Sequence, residues 1–266
     1  MSFFNNFRFR SSKRKNVANS TGIYQSGSQN SSSTSLPSRR SSTLGSAAGG
    51  ISAPQQSTSS VSKRSPQINY QPLFLNSAYV RAALVKGSFQ TIVELPKYVD
   101  LNEWLALNIF EFNSYLTQFC STLSEFITPE TCPTMNAGPG YDYLWIDNNR
   151  QPIRLPASTY IEYTLSWISS KFDDQTLFPT RQGVPFPPNF TSVVKGIYVQ
   201  LFRIFAHIYH THFDKIVHLS LEPHWNSFFC HFISFGKTYN LIDRTEMAPL
   251  ASLIQNFEAQ QKIKVA

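Results

Sequence analysis

The first 66 residues of this 266-residue chain contain neither aspartate nor glutamate. Nine of the 23 Lys and Arg lie there: Arg8, Arg10, Lys13, Arg14, Lys15, Arg39, Arg40, Lys63 and Arg64. The other 14 stand against all 16 acids in residues 67–266, which leaves that part at −2. The net charge of +7 therefore belongs to the N-terminal segment, and the high pI says nothing of nucleic-acid binding by the rest. Branched apolar residues are scarce in the same segment, which is rich in Ser, Asn, Gln and Gly. Such a stretch buries too little surface to offset its ordering entropy, so residues 1–74 are expected to form a disordered basic tail.

A mitochondrial transit peptide would share this composition, but the bunching of Phe3, Phe4, Phe7 and Phe9 and the polar run after them lack its amphipathic spacing. Within the tail, Arg39-Arg40-Ser41-Ser42 suits a basophilic kinase and Ser65-Pro66 a proline-directed one. Phosphate at either would change the local sign of charge.

Cysteine is scarce as well. Cys120, Cys132 and Cys230 are the only three, and no secretory leader is read before them, which points to a reducing compartment without a disulfide framework. No apolar run approaches the roughly 18 residues that span a bilayer, because Arg203 and the histidines interrupt the best candidate. A soluble intracellular protein without membrane insertion is expected. There is no Gly-rich phosphate loop, HExxH, GxSxG or paired CxxC, and neither an internal repeat nor βαβ alternation.

Helical periodicity is what the remaining residues do show. Asn76 is placed to cap a helix through SAYVRAALVK that Gly87 stops. Asp100 opens DLNEWLALNIFEFNSYLTQFCSTLSEFI, with Glu103 three residues on in a capping-box arrangement. Leu105, Ile109, Phe112, Leu116, Phe119, Leu123 and Phe126 then step by four and three, an apolar seam on one long helix. Glu103 falls opposite that seam and Glu111 off it, so both are expected to be exposed.

Residues 128–155 carry Pro and Gly and read as loop with a short hairpin. ASTYIEYTLSWISSKF reads as a helix, and LFPTRQGVPFPPNF as a Pro-rich loop that Phe178 and Phe186 could plug onto the body. A second seam, Phe190, Val194, Ile197, Leu201, Ile204 and Ile208, marks the next helix. With further helices near 224–239 and 249–262, the expected fold is all-α, an antiparallel helical bundle with long ordered loops.

Four of the six histidines crowd into RIFAHIYHTHFDKIVH, as His207, His210, His212 and His218. A metal site, a catalytic base and a decorated core helix all predict such a cluster. His212 and Asp214 are two apart and point to different sides of a helix, a poor dyad. Cys132 with a histidine would make a nucleophile pair, although combinations of this kind are mostly accidental. His207 and His212, five apart at a helix end, suit a tetrahedral zinc site to which the loop contributes Cys132. A fourth ligand is missing, since Cys120 lies more than two turns before the loop and Cys230 on another helix.

LVKGSFQTIVELPKYVDLNEW, TCPTMNAGPGYDYLW, LFPTRQGVPFP, FRIFAHIYHTHFDKIVHL, HWNSFFCHFISF and LIDRTEMAPL, in that order across residues 75–266, resemble the Mob (Mps one binder) family of kinase activators. The LPKYVDLNEW and HWNSFF forms, with the opening MSFFN, look most like the fungal type-two Mob proteins. The resemblance implies a Mob-type helical domain over 75–266 that is not an enzyme. It implies a non-catalytic co-activator that binds the basic N-terminal segment of an NDR/LATS-class kinase in morphogenesis and polarity signalling. The location implied is cytoplasm and nucleus, with enrichment at sites of polarised growth.

By the same resemblance the partner-binding positions are Asp100, Glu103, Trp104 and Glu111. The family's structural zinc ligands fall on Ile127, Cys132, His207 and His212. Ile127 has no lone pair to donate, so a degenerate site without resident metal is expected, and zinc is the only cofactor to consider. Type-one relatives read phosphopeptides with three basic residues, whose places are held here by Val199, Gln200 and Arg203. The rival reading is a nucleic-acid or membrane-surface adaptor working through the basic tail.

Overall fold

A computed structural model of the protein describes residues 71–264. The expected tail, up to residue 70, and its two phosphorylation motifs lie outside the described residues. Among these the fold is all-α apart from one two-stranded ribbon. The chain makes a 3-10 turn at Leu73–Leu75 and then α1 (Ser77–Val80), α2 (Gln90–Val93) and α3 (Leu101–Leu123). A long loop holds the antiparallel strands β1 (Trp145–Ile146) and β2 (Pro152–Ile153). There follow α4 (Ala157–Phe172), α5 (Phe190–Thr211), α6 (Phe213–His218), α7 (Glu222–Thr238) and α8 (Ala251–Ala259).

The folded part begins before the expected boundary at residue 75. Phe74 is 3% exposed and meets Tyr209 and His210 edge to face at 5.5 and 5.1 Å. A buried aromatic gives this stretch the anchor that a polar tail lacks.

Asp100 does cap α3, its Oδ1 accepting from the amides of Asn102 at 2.8 Å and Glu103 at 3.2 Å. From Leu105 to Leu123 every residue of the seam is buried. The helix stops at Leu123 instead of running on to Ile127. Ser124 Oγ donates to Ser121 O at 2.8 Å, the amides of Phe126 and Ile127 both turn back to Leu123 O, and Pro129 bars continuation. Phe126, the last seam residue, is consequently half-buried.

α1 is shorter than its sequence suggests. Asn226 Nδ2, on α7, donates to both Tyr79 O and Ala82 O at 2.8 Å, and Ser227 Oγ accepts the Leu84 amide at 2.8 Å. Side chains more than 140 positions away thus take the backbone groups that a continued helix would have paired internally.

α5 packs against both α3 and α4. Its seam is fully buried and so is its other flank, where Phe205 meets Trp225, Phe228, Phe229 and Phe232 at centroid distances of 4.8 to 5.4 Å. Burying one phenylalanine contributes about 2–3 kcal/mol, and each such ring pair about 0.5–1.5 more. The Pro-rich loop is plugged as expected: Phe178 meets Phe172 and Phe190 at 5.0 and 5.2 Å, and Phe186 lies 4.4 Å from Phe190.

His231 of α7 is buried between Phe89, stacked at 6.2 Å, and Phe112, edge-on at 4.9 Å. Burial pushes its pKa down to about 4. Its folded pKa lies below the unfolded one, so the neutral ring's contribution is complete above about pH 6.5 and is lost as pH falls towards 4. Protonation opposes folding by on the order of 3 kcal/mol at the acid end. His231→Phe should flatten the fall in urea midpoint between pH 6.5 and 4.5. An unchanged fall would assign the acid sensitivity to other groups.

Candidate functional site

Two surfaces carry the residues singled out in the sequence. The first is the outer face of α3, where residues 103, 107, 110 and 114 share one stripe at helical spacing with Glu111 beside it. Glu103 is exposed, while Glu111, expected to be exposed too, is half-buried, and this burial raises its pKa. Eight residues separate them, about 12 Å along the axis. Neither forms an ion pair among the described residues.

Between the two carboxylates stand Leu107 and Phe110, 52% and 54% exposed. The sequence reading passed over these two residues. Their signal was an apolar pair out of phase with the buried seam. Phe110 meets Phe172 edge-on at 5.4 Å and opens a groove of ≈ 520 Å³ lined by Glu103, Phe172, Asp173, Phe178 and Phe186, with Arg181 also in its wall. A surface of this kind suits a partner segment with apolar side chains and positive charge.

The other two predicted residues have local duties. Asp100 commits an oxygen to the α3 cap. Trp104 is half-buried, its ring 6.3 Å from Phe235, so it ties the start of α3 to α7.

The second surface is internal. Cys132 sits in a tight turn: its amide donates to Thr128 O at 2.9 Å, and Thr131 Oγ1 donates to Phe126 O at 2.8 Å. Its carbonyl accepts from the Ala157 amide that opens α4. These bonds hold Cys132 Sγ 3.2 Å from His212 Nε2. His212 is not on the long histidine helix but at the joint between α5 and α6. His207 is fully buried, and its Nδ1–H donates to Asn136 O at 2.8 Å. That leaves its lone pair on Nε2, which has no hydrogen-bond partner among the described residues. Burial pushes the ring's pKa down to about 4.

Sulfur and one ring nitrogen of each histidine lie within 4.8 Å of one another, and no fourth Cys, His, Asp or Glu among the described residues joins them. Burial also raises the Cys132 thiol pKa, the reverse of what a nucleophile needs. Ile127, at the remaining ligand position, is hydrocarbon and 5% exposed. These residues do not fit a closed tetrahedral zinc.

The neighbouring histidines are packing and surface residues. His210 Nε2–H donates to Pro249 O at 2.9 Å, and His218 is exposed. A Cβ at Gly138, where φ is +82°, would come within 2.8 Å of His210 Nδ1, so glycine is required there. Arg203 is engaged internally: it donates to Tyr160 Oη at 3.2 Å, lies 3.8 Å from Glu246 and covers the Tyr143 ring. With Val199 and Gln200 uncharged, few donors remain for a phosphate.

An all-α body with a buried Cys/His knot and an acidic, partly apolar helix face defines a binding scaffold. The chain belongs to the Mob1/phocein family, whose model matches residues 81–250. It is 58% identical over 218 residues to the CBK1 kinase activator protein MOB2 of Candida albicans, covering 82% of this chain and 70% of that one. Against the protein of the same description from Saccharomyces cerevisiae it is 62% identical over 193 residues, 73% and 67% of the two chains. The maintenance of ploidy protein mob2 of Schizosaccharomyces pombe is 50% identical over 218 residues, 82% and 89%.

Proposed function

We propose that this protein is a non-catalytic co-activator of an NDR/LATS-class Ser/Thr kinase, acting in cell morphogenesis and polarity signalling. The observation that carries the reading is the α3 stripe, where Glu103 and the half-buried Glu111 form no ion pair among the described residues and stand beside exposed Leu107 and Phe110. Two relatives that cover most of this chain are described as activators of one kinase. A basic, helical N-terminal segment of the kinase supplies both the cations and the apolar side chains for such a face. Lying on α3, the segment is ordered against the catalytic lobe and biases the kinase's regulatory helix towards its active position.

Phosphotransfer by the purified kinase tests this proposal. The rate should rise when the natural protein is added and should not rise with the Glu103→Lys/Glu111→Lys variant. An equal rise with both would detach activation from this face.

A further inference from the structure

The Cys132, His207 and His212 knot presents a donor set with an unmet lone pair. His207 is 0% exposed, its Nδ1 is occupied by Asn136 O, and its Nε2 has no hydrogen-bond partner among the described residues. A buried acceptor left in that condition costs free energy unless something takes its electrons. The sulfur and the two imidazoles are close enough to contract around a single ion. Cys132 and His207 are also held from behind by backbone bonds, as metal ligands usually are.

Charge decides which ion. One thiolate and two neutral imidazoles carry −1, so Zn(II) would leave +1 in a buried, apolar place with only three protein donors. Both features are unfavourable, because zinc would have to draw its fourth ligand and the balancing charge from water or hydroxide, and Cys132, His207 and His212 are 4%, 0% and 4% exposed. A monovalent soft ion makes the same site neutral, and Cu(I), a d10 ion that favours thiolate and imidazole, is stable with three donors. Ile127, buried and without a donor atom, then leaves the set at three ligands. On binding, the Cys132 S–H bond breaks, its proton passes to solvent and the sulfur pair goes to the metal, with no change in oxidation state.

We propose that Cys132, His207 and His212 form a trigonal site selective for Cu(I) over Zn(II). The test uses the full chain under anaerobic conditions, with Cu(I) supplied from its bicinchoninate complex and Zn(II) from a nitrilotriacetate buffer. One Cu(I) per chain is expected, with an X-ray absorption spectrum that fits one sulfur and two nitrogens. Zinc uptake should stay below about a tenth of an ion per chain, and Cys132→Ser and His207→Ala should each weaken Cu(I) binding at least about a hundredfold. Circular dichroism checks the fold of the variants, and the absorption spectrum of the natural protein decides the matter without them. The proposal is overturned if the folded natural protein takes up no Cu(I) or if its spectrum shows a different donor set. Undiminished binding by Cys132→Ser, or stoichiometric zinc in the natural protein, overturns it equally.

Discussion

Reversing Glu103 and Glu111 to lysine together is expected to weaken binding of the kinase's basic N-terminal segment at least tenfold while the protein stays folded. Neither carboxylate is paired among the described residues, so its removal breaks nothing in the isolated protein. On the proposed reading each would meet a cation in a partly desolvated setting, and such contacts contribute on the order of 1–3 kcal/mol apiece. Glu111 should have the larger single effect, because its half-buried carboxylate has already lost part of its hydration. Affinity should fall with added salt, since part of the attraction is screened. Isothermal titration at two ionic strengths checks this, and an undiminished affinity in the double variant removes these residues from the interface.

The second large effect concerns the internal knot. Ile127→Cys adds the missing thiolate at the position assigned to a fourth ligand. Two thiolates and two neutral imidazoles balance Zn(II) and complete its tetrahedron. The variant should therefore bind one zinc, whereas the natural sequence should hold well under one per chain. Bound metal stabilises by mass action, about 4 kcal/mol when free zinc stands a thousandfold above Kd. For a domain of this size that raises Tm by roughly 10 °C. A chelator should abolish the gain and should leave the natural protein's Tm almost unmoved. Elemental analysis and melting curves with and without a zinc chelator read both outcomes, and a natural protein that carries stoichiometric zinc and loses Tm with its removal would show the account of Ile127 to be wrong.

Local signals made much of this legible in the sequence. α4 occupies the ASTYIEYTLSWISSKF stretch from end to end, and α3 begins at its Asp100 cap, because the apolar spacing of the one and the cap of the other are local to the segment. α1 failed for the opposite reason. Asn226 and Ser227 claim its backbone groups from across the molecule, and no local pattern announces them. Its Gly87, read as the stop of a short helix through SAYVRAALVK, has φ of +104° in a loop well beyond the end of α1.

The candidate site divides in the same way. Charge marked Glu103 and Glu111, but the exposure of Leu107 and Phe110 depends on which neighbours cover α3, and that is a tertiary fact. Histidine spacing marked His207 and His212. The unpaired Nε2 of His207 emerges only once Asn136, 71 residues away, is seen to hold the other nitrogen.

The central claim is that the helical domain, through α3 and not through the +9 tail, carries the partner. It is tested most directly by titrating the kinase's N-terminal segment against the full chain and against residues 71–266. The account predicts dissociation constants equal within about twofold, a difference of under roughly 0.5 kcal/mol. Loss of binding in the truncated protein would contradict it and give the function to the tail.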